Sequence, residues 1–439
     1  MFLQRKSDIA TNDAFFLSPL LVHYYTHGRN GDFAVRAPLV LGHEAAGIIV
    51  AVGPPAPAAP STLSPSNKTN QPPPLRVGQR VAIEAGIACR TCAYCEIGRY
   101  NLCKGMRFAS SAARFPHLDG TLQGRMNHPA FVLHPLPDSV SFALAALAEP
   151  LSVLIHAGRR IALGSSPYPE SVLVFGVGAI GLLACALARH RGARRVCAVD
   201  INRERLEFAK REGFADEIYC LPAPGSKKEA VTEKSDACCA QPPQQQSTPQ
   251  TPAHLDISGA TSMSAQILAA LSLPPSPAST SLPSQIPYPL RLSPSYTAPG
   301  GPDSAGFDVV FECTGAPSAI QASILCAAAG GRAMLVGMGT RAAVMPVAGF
   351  ALREVDVKGS FRYAGTYGEA VRLLAGEDVV GEDTEENRER AKALPRLVEK
   401  LVTHRFPLDQ ADRAFEMLAK GVDEQGRMVL KVLVGENEA

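Results

Sequence analysis

Hydrophobic and polar positions along this chain follow two regimes. In the first, apolar runs are short and punctuated as strands and helices require. Val172-Leu173-Val174-Phe175 is a β-branched apolar run of the kind buried on both faces of a parallel sheet. It enters a glycine-rich turn, and the L-L-A-C-A-L-A-R-H-R-G that follows has helical spacing. A second strand is predicted from Arg195 to Val199, ending on Asp200. In the second regime the pattern dissolves. Residues 54–74 hold mostly Pro and small polar residues, and about 221–305 is rich in Pro, Ser, Gln and Thr. Within the longer stretch only S-A-Q-I-L-A-A-L-S-L, from Ser264 to Leu273, predicts a short helix. The remainder cannot bury enough apolar surface to order itself. A structureless loop of that length is uncommon inside a compact domain, so it reads as an interruption.

Length and charge narrow the class. At 439 residues the chain exceeds one typical domain, and two are expected. A formal net charge of +2 gives no reason to expect nucleic acid or an acidic surface as partner. No apolar run approaches the ~18 residues that cross a bilayer, so no membrane is expected either. Nothing resembles a secretory signal, and the expected location is the reducing cytoplasm.

Cysteine usage changes the picture more. Cys89, Cys92, Cys95 and Cys103 stand in C-R-T-C-A-Y-C-E-I-G-R-Y-N-L-C. Thiolates this close converge on one tetrahedral ion, and zinc is the usual occupant of an all-sulfur, redox-silent site. A disulfide cluster is the competing reading, disfavoured in a reducing compartment. Four ligands leave no open position, so such a zinc braces a loop and does no chemistry. The remaining seven of the eleven cysteines are scattered, apart from Cys238-Cys239, with no pairing pattern.

The glycine turn reads Gly176-Val177-Gly178-Ala179-Ile180-Gly181. Strand, glycines, helix, second strand and terminal acid occur in the dinucleotide-binding order. Gly176 permits the tight turn, Gly178 lets backbone approach a pyrophosphate, and Gly181 allows close helix–strand packing. The helix N-terminus then faces the phosphates. Asp200 would hold ribose hydroxyls and repel a 2′-phosphate, favouring NAD over NADP. Nearby Arg203 and Arg205 leave some NADP tolerance. A third constellation, Gly42-His43-Glu44, follows the apolar run Pro38-Leu39-Val40-Leu41. A lone His-Glu pair is more often structural, and its weight comes from the metal and nucleotide motifs downstream. Glu149, in A-E-P-L-S-V, is a carboxylate in an otherwise apolar stretch, either an error of burial or a functional group.

Together these segments resemble the zinc-dependent medium-chain dehydrogenases, and within them the sorbitol, xylitol and arabinitol (polyol) dehydrogenases. The resemblance is carried by H-Y-Y-T-H-G-R-N-G-D-F from His23, L-G-H-E-A-A-G, G-Q-R-V-A-I-E-A-G, C-E-I-G-R-Y-N-L-C, A-E-P-L-S-V and G-V-G-A-I-G with Asp200. It continues through E-C-T-G, L-V-G-M-G, R-E-V-D-V-K-G-S-F-R-Y-A-G-T-Y and L-V-T-H-R-F-P-L-D-Q-A-D-R-A-F-E-M-L, and so spans about Val22 to Leu433 outside the low-complexity stretches. It implies an α/β protein: a GroES-like β-rich catalytic domain at 1–155, returning at 360–439, and a doubly wound Rossmann domain at 156–359. The site would lie in the cleft between them. It also implies zinc- and NAD-dependent oxidation of a polyol to the ketose. His43 and Glu44 would be zinc ligands beside a cysteine and a water, the zinc lowering the pKa of the alcohol. Glu149 would hydrogen-bond the zinc water or the substrate, and His23 matches a proton-relay position. Tyr24, Phe108, Ser111, Arg362 and Tyr363 would line the polyol pocket. Homotetramers are common in that family.

At one point the chain departs from this pattern. The family reads C-G-S-D-V-H where this sequence reads Ser18-Pro19-Leu20-Leu21-Val22-His23. The zinc cysteine is Ser18 and the relay hydroxyl is Leu20, and a hydroxyl is a poor zinc ligand beside a thiolate. The first seventeen residues match nothing in the family, so its opening strands are expected to be missing and sheet edges unpaired. Every residue from Phe15 to Leu21 can be encoded by pyrimidines at its first two codon positions, as translation through the end of an intron would give. Two alternatives stay open: a zinc-dependent dehydrogenase of another alcohol class, or an impaired homologue that keeps NAD and the structural zinc.

Overall fold

The computed structural model describes residues 8–17, 19–53, 75–222, 257–271 and 306–435. The sequence readings on Ser18 and on residues 54–74 lie outside them. Two sheets organise the described residues. The first has seven strands, in the order Val402–Phe406, Lys431–Val434, Asp8–Leu17, Glu44–Ala51, Arg80–Ile83 and Leu133–Pro135, with Arg125–His128 also paired to Asp8–Leu17.

The central place of Asp8–Leu17 corrects the expectation of missing strands and open edges. It pairs with Glu44–Ala51 from Ile9↔Ala51 to Phe16↔Glu44, with Lys431–Val434 at Phe15↔Val434, and with Arg125–His128 at Asp8↔His128. Ladder bonds are made by backbone, so a segment needs no family likeness to fill the position. It needs side chains that suit both faces of a buried strand. Phe16 packs with Ala46, Ala82 and Phe142 on one face, and Phe15 and Leu17 with Ile49, Val81 and Val432 on the other.

The second sheet has six parallel strands, in the order Glu217–Cys220, Arg195–Asp200, Ser171–Phe175, Phe307–Glu312, Ala327–Leu335 and Asp356–Gly359. The chain winds outward in one direction, then returns past Ser171–Phe175 to wind in the other. This makes a topological switch point at the carboxyl end of that strand, where ligands of open α/β sheets bind. Every residue of Ser171–Phe175 is buried, and the helix after the glycine turn runs Ala179–His190.

The low-complexity stretch is less empty than its composition suggested. Its helix runs Ser258–Ala270, starting before the apolar segment that revealed it. Ile267 and Leu271 pack with Leu173, Phe175 and Phe307. The helix thus covers a face of the second sheet, as the crossover between two of its parallel strands requires. A single apolar cluster joins the two sheets, running from Phe16 and Ala82 through Leu151 and Leu154 to Val174 and Leu182. No helix among the described residues is long and apolar enough to cross a membrane.

Candidate active site

His43 immediately precedes the strand Glu44–Ala51, and Glu149 lies in the first turn of the helix Ala148–Arg160. Strand and helix meet at these ends, and one ligand atom from each of His43, Glu44 and Glu149 lies within 4.8 Å of the others. All three side chains are buried. The Ser110 hydroxyl stands 3.0 Å from His43 Nδ1 and orients the ring. Lys431 Nζ donates to Glu44 Oε2, and Lys431 is only 1% exposed. Burial, helped by the charges of Lys431 and Arg362, holds the His43 imidazole down to about 3, so the ring is neutral. Burial pushes Glu149 up to about 8, with the Glu44 charge adding to the effect. Burial raises Glu44 as well, against the pull of Lys431. A neutral imidazole beside two desolvated carboxylates is a donor set that a divalent cation would stabilise. The residues fit a metal.

One wall beside this cluster is aromatic and cationic. The Phe108 ring is 5.7 Å from the His43 ring, and the Arg362 guanidinium lies 3.9 Å over Phe108. Tyr363 is 6.5 Å from Phe108, and its buried side chain lies beside Glu149 and Tyr367. Arg362 is held in a left-handed backbone conformation, with φ 49°. Its guanidinium contacts the rings of Phe108 and Phe361 but has neither hydrogen bond nor ion pair among the described residues. A half-buried guanidinium with unspent donors suits a ligand rich in oxygen. Ser111 lines the small cleft that Phe108 and Arg362 share. The Tyr24 hydroxyl accepts the Ala112 N–H at 3.2 Å, which ties it to the same loop.

His23 is not brought to the site. Leu21 and Tyr24 form the buried face of the helix Pro19–His27, and the intervening His23 points to solvent near His27, ring to ring 6.1 Å. At 100° per residue a neighbour of Tyr24 cannot share its face. The relay expected of His23 is therefore not supported by its position. Sequence reasoning also missed Ser110 and Lys431. Lys431 carried a readable signal, a charged residue in the otherwise apolar K-V-L-V strand, the same signal that marked Glu149. Ser110 carried none.

The nucleotide turn has the three features its glycines implied. Gly176 has φ 85°, and a Cβ there would meet Thr314 at 2.6 Å. A Cβ on Gly181 would fall 1.7 Å from the Gly176 carbonyl oxygen, whereas one on Gly178 would meet nothing within 4 Å. The protein itself does not require glycine at 178, and the space it leaves fits an approaching phosphate. Ala179 and Ile180 open the helix beyond it, half-buried. Asp200 Oδ2 accepts the Val177 N–H at 2.7 Å and Oδ1 accepts the Asn202 N–H at 2.8 Å, placing the carboxylate at the mouth of the turn. Asn202 caps the next helix by accepting the Arg205 N–H at 3.0 Å, and Arg205 Nε has no hydrogen-bond partner among the described residues.

The four cysteines of the array converge, with all their sulfurs within 4.8 Å. Sulfurs each ~2.3 Å from one tetrahedral ion stand about 3.8 Å apart. Cys89 and Cys95 are 3.9 Å apart and Cys92 and Cys95 3.6 Å, far too long for a disulfide and right for a shared ion. Hydrogen bonds from Thr91 pull the Cys89 thiol down to about 6, while burial pushes Cys95 up to about 12.

Comparison with known proteins agrees with this geometry. Residues 19–138 match the alcohol dehydrogenase GroES-like domain, and residues 301–376 match the zinc-binding dehydrogenase family. Sorbitol dehydrogenase of Rattus norvegicus is 33% identical over 401 residues, covering 91% of this chain and 82% of the relative. The Homo sapiens sorbitol dehydrogenase is 32% identical over 401 residues with the same coverage. Among solved structures, L-idonate 5-dehydrogenase from Escherichia coli superposes with TM-score 0.65 at 22% identity, covering 98% of this chain and 91% of that one. The 2R,3R-butanediol dehydrogenase of Bacillus subtilis gives 0.62 at 20% identity, covering 100% and 94%. The solved structures establish the fold, a GroES-like domain with a Rossmann-type domain. The sequence relatives establish more: this chain belongs to the zinc-dependent medium-chain dehydrogenases of the polyol (sorbitol) dehydrogenase family, oxidoreductases that work with zinc and a nicotinamide dinucleotide.

Proposed function

We propose that the chain oxidises a polyol of the sorbitol, xylitol or arabinitol type to the ketose, with NAD as hydride acceptor. The observation that carries this is the unspent Arg362 guanidinium, stacked on Phe108 beside the buried His43–Glu44–Glu149 cluster. When bound, the metal supplies Lewis-acid polarisation of the reacting hydroxyl, and the nicotinamide accepts the hydride. This chain's residues do the rest. His43 and Glu44 hold the metal, with Ser110 and Lys431 fixing them in place, and Glu149, which the resemblance assigns to the metal's water or the substrate, stands close enough to be a third ligand. Arg362 and the Tyr363 hydroxyl donate to hydroxyl oxygens farther along the substrate, with Tyr24, Phe108 and Ser111 shaping the wall. Gly176, Gly178 and Gly181 with Ala179 and Ile180 receive the pyrophosphate. Asp200 takes the ribose diol, which favours NAD, and Arg205 flanks it. Cys89, Cys92, Cys95 and Cys103 hold a bracing zinc. We assign residues 1–155 and 360–439 to the catalytic domain and 156–359 to the nucleotide domain.

A substrate panel tests this reading: sorbitol, xylitol, arabinitol, threonine and ethanol, each with NAD and with NADP. Turnover of a polyol with NAD, faster than of threonine or ethanol, supports it. Preference for threonine or ethanol favours another alcohol class. One observation favours an impaired enzyme, namely Ser18 at the family's cysteine position. Nucleotide binding without turnover of any alcohol would establish that alternative.

A further inference from the structure

We infer that the buried cluster, whose donors among the described residues are nitrogen and oxygen alone, is a metal centre that discriminates far less between zinc and harder divalent cations such as cobalt(II), iron(II) or manganese(II) than the cysteine array of the same chain. The inference rests on the proposed reading of His43, Glu44 and Glu149 as metal ligands, and concerns which ions they accept.

The donors carry the argument. Among the described residues the cluster comprises one imidazole and two carboxylates, and no cysteine joins it. The described cysteines are accounted for elsewhere. Four form the array, and Cys185, Cys197, Cys220, Cys313 and Cys326 lie on strands, helices and turns of the nucleotide sheet. Soft thiolates select zinc and copper(I), whereas carboxylates suit harder ions and imidazole suits most of the first-row series. For any such donor set zinc still binds more tightly than manganese or cobalt. Removing sulfur narrows the gap, so the ion that occupies the site follows availability more than chemistry.

Charge acts in the same direction. Lys431 donates to Glu44 inside the cluster. An arriving divalent ion therefore competes with that ammonium for Glu44, which weakens its hold whichever metal it is. A thiolate would have supplied both a further anion and the selectivity. The array offers the opposite chemistry within the same molecule, four sulfurs and no oxygen, and so serves as an internal standard.

The test is a metal competition on the full chain. After removal of metal by a chelator, the protein is loaded from equimolar zinc and cobalt and counted by elemental mass spectrometry. Subtracting the content of His43→Ala, and independently of Glu149→Gln, isolates the buried site. The cobalt-to-zinc ratio there should exceed that of the array by ~10-fold or more. Its cobalt should give visible d–d absorption without the near-ultraviolet sulfur-to-cobalt charge-transfer band. Ser18→Cys should add that band and move the ratio towards the array's. Equal selectivity at both sites, or a sulfur charge-transfer band from the buried site of the unaltered chain, would overturn the inference and leave the dehydrogenase reading standing. A single metal per chain under every loading condition would overturn both.

Discussion

The two candidate metal clusters of this chain are opposites. The cysteine array draws four like ligands from fifteen consecutive residues, on a short exposed lobe with Cys103 alone buried. The other cluster draws unlike ligands from residues 43, 44 and 149, wholly buried, with Lys431 and Ser110 as supports. The array's lobe has almost no core of its own, so the zinc proposed for it would hold it together. The buried cluster is built from sheet and helix. In the proposed function one site braces a lobe and the other serves the chemistry.

Breaking the buried site should have the largest effect. Glu149→Gln keeps the shape and removes the carboxylate, and kcat/KM for the best polyol should fall on the order of 10³–10⁴-fold, about 4–5.5 kcal/mol. The array should keep its metal. An activity within tenfold of the unaltered chain would remove Glu149 from the site.

Lys431→Met should cost about 3–5 kcal/mol of stability in denaturant unfolding, because it leaves Glu44 buried without its cation. Lys431→Met with Glu44→Gln should recover much of that loss, a coupling that independent surface roles would not produce.

Breaking the brace should be milder and more local. Cys92→Ser should release the array's metal and cost on the order of 2 kcal/mol, a fall of about 4 °C in melting temperature. Nucleotide affinity should survive. Unchanged metal content and melting would reject the array as a zinc site.

The smallest effect tests the nucleotide side of the comparison. Asp200→Ser should weaken NAD binding roughly tenfold, about 1.5 kcal/mol, and raise NADP binding relative to NAD. An unaltered chain that already prefers NADP contradicts the role given to Asp200.

What could be read from the sequence divides along the same line. The array and the glycine turn were legible because their parts are neighbours, and the geometry of each follows from spacing alone. His43 and Glu44 were legible only in the company of those motifs. Lys431 meets Glu44 across 387 positions of chain, and no local pattern announces such a contact. The phase of a helix decided against His23, since motif position fixes where a residue stands in sequence but not which way it points. The opening strand was misjudged for a related reason. Likeness to relatives is no condition for a strand: Phe15, Phe16 and Leu17 need only alternating faces and a free ladder.

The most direct measurement is the number of divalent ions per chain after saturation with metal. Two per chain are predicted, falling to one in His43→Ala and to one in Cys92→Ser, each variant losing a different site. One per chain in the unaltered protein, untouched by His43→Ala, would contradict the account of two opposed metal centres.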